Sequence, residues 1–181
     1  LYGNLASNIL DGGSGSDLIV GAAGDDVISG GLGADTISAG TGDDVIAGDG
    51  GADIITAGAG KDKITGGTGA DTISGDGGDD VISGDDGADI ISGGSGDDVL
   101  TGGAANDILD GGAGDDTIDG QGGDDEIFGG SGVDYIDGGS GGDVIYGGSG
   151  DDVIIGGEGN DQLYGGSGDD EFIFSLGDHV T

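Results

Sequence analysis

From Asp17 to Asp170 every ninth residue is aspartate, and this period constrains the chain more than anything else in it. The series runs Asp17, Asp26, Asp35, Asp44, Asp53, Asp62, Asp71, Asp80, Asp89, Asp98, Asp107, Asp116, Asp125, Asp134, Asp143, Asp152, Asp161, Asp170 without a break. Two residues beyond each aspartate stands a large apolar side chain, from Ile19 and Ile28 through Leu100 and Leu109 to Leu163 and Phe172. Two residues before each stands glycine, except at Ala105. The unit reads G-G-x-G-x-D-x-U-x, with U apolar, and Gly111–Asp119 is a clean copy.

A nine-residue period does not fit an amphipathic helix, and glycine at this density opposes helix formation. Glycine reaches positive φ at little cost, so GGxGxD is expected to be a six-residue turn and xUx a three-residue strand. Side chains alternate along a strand, so an inward U leaves its neighbours outward. Thr36 and Ser38 around Ile37 suit that placement. Two units then complete one coil of 18 residues, and coils stack at ~4.8 Å. Odd and even repeats form separate parallel sheets that face each other through their isoleucines. The expected fold is all-β: a parallel β-roll, or two-sheet solenoid, of about nine to ten coils and roughly 45 Å. Its core holds about one large apolar side chain per nine residues, too little to stabilise the fold unaided.

The chain of 181 residues has 52 Gly, no Pro, Cys, Met or Trp, and only 4% aromatics. Lys plus Arg number 2 against 38 Asp plus Glu, a formal charge of -36. Such a composition suits a disordered acidic tail or a glycine linker, but neither would hold its apolar residues in phase. The charge excludes nucleic acid and anionic lipid as partners, since phosphate needs clustered Lys and Arg. Without cysteine there is neither disulfide nor thiolate metal site. No apolar run approaches ~18 residues, so no membrane insertion is expected. No basic stretch followed by an apolar one marks a leader, and a chain starting at Leu1 is expected to be a piece of something larger. One histidine, His179, lies outside the repeats, and no nucleophile–base constellation is present. Glycine strings such as Gly12 to Gly15 are repeat glycines, not a phosphate loop, because no helix follows. The segment is not expected to be an enzyme, whatever its parent does.

Stacking brings each phased aspartate near the one 18 residues on, as Asp17 near Asp35. Two carboxylates ~5 Å apart repel by about 1 kcal/mol in water and ~3 kcal/mol at an effective dielectric of 20. Sixteen such pairs argue against a roll without cations. The donors on offer are carboxylate and carbonyl oxygens, a hard set that disfavours zinc and copper. Mg²⁺ keeps its waters in a tight octahedron, whereas Ca²⁺ accepts longer, irregular oxygen coordination. Up to about sixteen Ca²⁺ would offset nearly all of the formal charge of -36.

The nonapeptide, in phase from Gly12 to about Phe174, resembles the RTX (repeats-in-toxin, haemolysin-type) calcium-binding repeat of bacterial proteins exported by type I secretion. The resemblance implies a right-handed roll. It also implies that each Ca²⁺ lies between turns on one edge, held by the phased aspartates of repeats n and n+2 and by turn carbonyls. It makes the type I secretion apparatus a partner and the location extracellular or at the bacterial cell surface. Cytosolic calcium would leave the chain unfolded, and extracellular sites binding at ~10⁻⁴–10⁻³ M would fold it outside. A calcium-assembled surface-layer or adhesin segment, and the C-terminal module of a secreted hydrolase, toxin or epimerase, remain alternatives. Ice binding needs a regular Thr or Asn row, which the turn series Ser14, Ala23, Leu32, Thr41 lacks.

Departures from the unit are informative. The second glycine is replaced at Ala22, Asp49, Asp76, Asp85 and Gln121, and the first at Ala39 and Ala57. The turn is expected to survive each. Ala105 is the first candidate for a weak site. Lys61 and Lys63 flank Asp62 and are expected to be solvated charges. The remaining acids, such as Asp25, Asp43, Asp79 and Asp97, are expected to face solvent. Residues 1–11 read as a degenerate capping repeat with Asn8 at the aspartate phase and Leu10 at U, and 175–181 as the start of a non-repetitive flank. Phe128, Tyr146 and Tyr164, 18 apart, are expected to stack outward, as packing or as a docking strip for a cell-surface glycan, a partner or self-assembly.

Overall fold

The computed structural model describes residues 1–174 and 179–180. Among them are twenty strands and no helix. The strands form two ten-stranded parallel sheets, one from the odd-numbered strands in chain order and one from the even. Each strand pairs with the one a full coil away, so Ile91 lies between Ile73 and Leu109. The expected two-sheet parallel solenoid of 18-residue coils is thus the observed fold.

Division of the repeat differs from expectation. Most strands span six residues, not three; Val27–Leu32 covers the end of one unit and the first three residues of the next. Only Gly-x-Asp remains as the turn. The physical reason is that the Gly-Gly pair bends without leaving the ladder: Gly94 still registers with Gly112. The turn itself is laddered as well, with Gly114 N–H donating to the Ser131 carbonyl at 2.9 Å and Ile108 N–H to the Asp89 carbonyl at 2.9 Å. A parallel coil stacked on its neighbour at every residue leaves few backbone groups unsatisfied.

The stacking explains the glycines. At Gly87 φ is +155 and an added Cβ would lie 1.4 Å from the carbonyl oxygen of Gly69 in the preceding coil. Among the described residues, the five substituted second glycines are the five non-glycine residues at positive φ: Ala22 at 92°, Asp49 at 71°, Asp76 at 71°, Asp85 at 68° and Gln121 at 68°. The turn survives there, and side chains help hold it. Ser74 and Ser83 hydroxyls donate to Asp76 and Asp85, and the Asp119 carboxylate accepts from the Gln121 backbone N–H. Ala105 instead avoids the left-handed region its counterparts occupy.

Between the sheets run two ladders of U residues, from Ile19 to Leu163 and from Ile28 to Ile154, all at 2% exposure or less. Ala39 and Ala57 join them, and Leu10 and Phe172 pack partly buried against them. Burying one such side chain is worth about 1.5–3 kcal/mol. At the first coil Ile9–Asp11 pairs with Val27–Ser29. At the last, His179–Val180 pairs with Gln162–Leu163, a spacing of 17 rather than 18. Residues 175–178 and 181 of the expected flank lie outside the described residues.

Candidate metal centre

Each phased aspartate closes a turn, at the point where the chain enters a strand. Sixteen of them, Asp26 through Asp161, are 2% exposed or less, and Asp17 and Asp170 at the ends are half-buried. They stack in two files, one on each edge of the roll. Within a file, Oδ1 of each aspartate accepts the backbone N–H of the aspartate one coil earlier: Asp26 to Asp44 at 2.7 Å, Asp62 to Asp80 at 2.8 Å, Asp98 to Asp116 at 2.8 Å. Asn8 N–H extends one file by donating to Asp26 at 2.7 Å.

The second carboxylate oxygen is different. From Asp17 through Asp152, Oδ2 is sealed from solvent and accepts no hydrogen bond. A buried, unpartnered carboxylate oxygen is costly unless something positive meets it. The first residue of the repeat marks the space beside it. A Cβ built on Gly75 would lie 2.3 Å from Asp80 Oδ2 and 2.6 Å from the Gly93 carbonyl oxygen. On Gly93 it would lie 2.4 Å from Asp98 Oδ2 and 2.7 Å from the Gly111 carbonyl. So a glycine-made cradle sets a carboxylate oxygen near a carbonyl oxygen of the next coil. Among the described residues no three carboxylate or imidazole groups converge, so any further ligands would be carbonyls. This all-oxygen donor set fits a hard cation of loose geometry.

The electrostatics agree. Burial pushes the carboxyls of Asp98 and Asp143 up to about 7, and those of Asp44, Asp62, Asp125 and Asp134 up to about 6. The amide bond from the preceding coil pulls each one down, and neighbouring carboxylates push it up again.

A second acidic row runs along one edge alone. Asp25, Asp43, Asp79, Asp97, Asp115, Asp151 and Asp169 precede the aspartates of that file and are exposed, with Lys61 and Val133 interrupting them. The opposite edge carries Ser16, Ala34, Ala52, Ala70, Ala88, Asn106, Asp124, Gly142 and Asn160 instead. The row is hydrogen-bonded coil to coil, as in Asp115 N–H to Asp97 at 2.9 Å. Lys61 is no free solvated charge: its ammonium pairs with Asp79 and its N–H donates to Asp43 at 2.9 Å. Lys63 is exposed. Reading every eighteenth residue rather than every ninth would have revealed both this asymmetry and the cradle residues. Phe128, Tyr146 and Tyr164 stack as expected, with ring centroids 5.1 and 4.8 Å apart.

A profile of the RTX calcium-binding nonapeptide repeat matches residues 2–37, 29–64, 65–100, 101–136 and 137–172. The chain belongs to this RTX repeat family. No curated protein matches it. Calcium is the ion of the RTX repeat, and the repeat is a binding fold rather than a catalytic one.

Proposed function

We propose that this RTX β-roll is a calcium-induced folding and scaffold module of a secreted or cell-surface bacterial protein. The eighteen phased aspartates, Asp17 to Asp170, supply the carboxylate ligands, and up to about sixteen Ca²⁺ fill the two files. The carrying observation is the sealed, unbonded Oδ2 of successive coils. Each makes the folded chain costly without a cation and leaves an oxygen aimed at one. In low cytosolic calcium the chain stays unfolded and passes through a type I exporter; outside, calcium folds it. Far-UV circular dichroism in chelator, then titrated with Ca²⁺ and separately with Mg²⁺, tests this. A cooperative rise in β-structure with Ca²⁺ alone is expected, and β-structure that persists in chelator sinks the switch.

A surface-assembly reading draws support from the outer face of one sheet, where Ile54, Ile90 and Ile108 stand 40–53% exposed in one column. Calcium-dependent polymers in electron micrographs would favour it.

A further inference from the structure

The first residue of the repeat is glycine in every unit from Gly12 to Gly165 except at Ala39 and Ala57. The cradle makes that exception consequential. In neighbouring coils of the same file, a Cβ on Gly21 would lie 2.4 Å from Asp26 Oδ2 and 2.5 Å from the Ala39 carbonyl, and one on Gly75 2.3 Å from Asp80 Oδ2. Ala39 and Ala57 put a methyl into that space, beside Asp44 and Asp62, and both are fully buried. A cation shared between the carboxylate and carbonyl oxygens would compete with it.

A second observation falls on the same coils and edge. Lys61 and Lys63, all the Lys and Arg the chain has, flank Asp62. The Lys61 ammonium bonds Asp79 while its N–H binds Asp43, so a built-in cation joins the exposed acidic row across Asp62. The other edge has neither a first-position alanine nor a lysine in its row.

We infer that the coils of Ala39, Ala57 and Lys61 form a weak interval in the calcium array, in which the Asp44 and Asp62 sites fill last and the Lys61 ammonium stands in for part of the positive charge. The inference rests on the calcium-site reading above. One file then keeps its first-position glycine throughout, and the other is divided between Asp26 and the run beginning at Asp80.

Bound calcium per chain, measured by equilibrium dialysis against free calcium, tests it on the full chain. Wild type is expected to show a weak class of sites beside a tight one. A39G/A57G restores the repeat's own residue, so folding is not at risk, and it is expected to shift the weak class to roughly tenfold lower free calcium. K61D is expected to move the same class in the same direction. A single uniform class in wild type, or isotherms of A39G/A57G and K61D that superimpose on wild type, overturns the inference and leaves the calcium reading standing. Wild type that binds no calcium overturns both.

Discussion

The backbone N–H of Asp98 donates to Oδ1 of Asp116 at 2.8 Å, while Oδ2 of Asp116 is buried without a hydrogen bond. The two oxygens of one carboxylate are thus separable: Oδ1 ties coil to coil, and Oδ2 is the one the calcium proposal makes a ligand. D116N keeps the amide acceptor and removes the charge. Its calcium-loaded form is expected to melt below wild type, while in chelator it folds no worse. D116A also strands the Asp98 amide, at about 1–3 kcal/mol more. Thermal melts by circular dichroism, with calcium and with chelator, separate the two.

Acid should act in opposite directions with and without calcium. Folding raises the Asp98 and Asp143 carboxyls from 3.8 to about 7, with burial as the main cause. Between pH 4 and 7 the folded chain therefore holds more protons than the unfolded one. Apo stability is present below about 4 and is lost as pH rises through the folded values. In chelator, β-content is expected to be higher at pH 5 than at pH 7.5. Calcium needs the deprotonated carboxylate, so its affinity is expected to fall over that same acidification. β-content in chelator that declines on acidification would contradict the assignment of burial as the dominant cause.

Two glycines at positive φ should respond very differently to alanine. Gly13 has φ +91 and open space where a Cβ would go, so G13A carries only the left-handed backbone cost of about 1–2 kcal/mol. Gly87 would drive its Cβ into the Gly69 carbonyl oxygen, and the neighbouring coil cannot move without breaking its own ladder. G87A is expected to exceed ~4 kcal/mol, beyond ordinary substitutions. Chemical denaturation in saturating calcium measures both.

The phase of Asp17 to Asp170 and of Ile19 to Phe172 contains the sheet order and the core, because in a solenoid register follows from period alone. The five non-glycine residues at positive φ were legible as substitutions of the second glycine. The strand length was not, since Gly-Gly reads as a turn in any local sense and stays in the ladder only because a neighbouring coil lies 18 residues away. The cradle was hidden for the same reason. Gly75, Asp80 and Gly93 meet in space through a coil that no nine-residue window contains. Lys61 looked like a lone surface charge until Asp43 and Asp79 were placed on either side of it.

The ladder of Phe128, Tyr146 and Tyr164 offers a test of how far coils depend on one another. The rings are nearly parallel, at 6° and 11° between planes, so Tyr146 is stacked on both faces and each outer ring on one. At about 0.5–1.5 kcal/mol per stacked pair beyond burial, Y146A is expected to cost about one pair more than F128A or Y164A. A double-mutant cycle between Phe128 and Tyr146 is expected to show coupling, and one between Phe128 and Tyr164 to show none, because those two rings touch only through Tyr146. Melting in saturating calcium reports the energies. Coupling of equal size in both cycles would mean that the coils transmit packing changes along the rod, against the nearest-neighbour behaviour that the repeated 18-residue register supports.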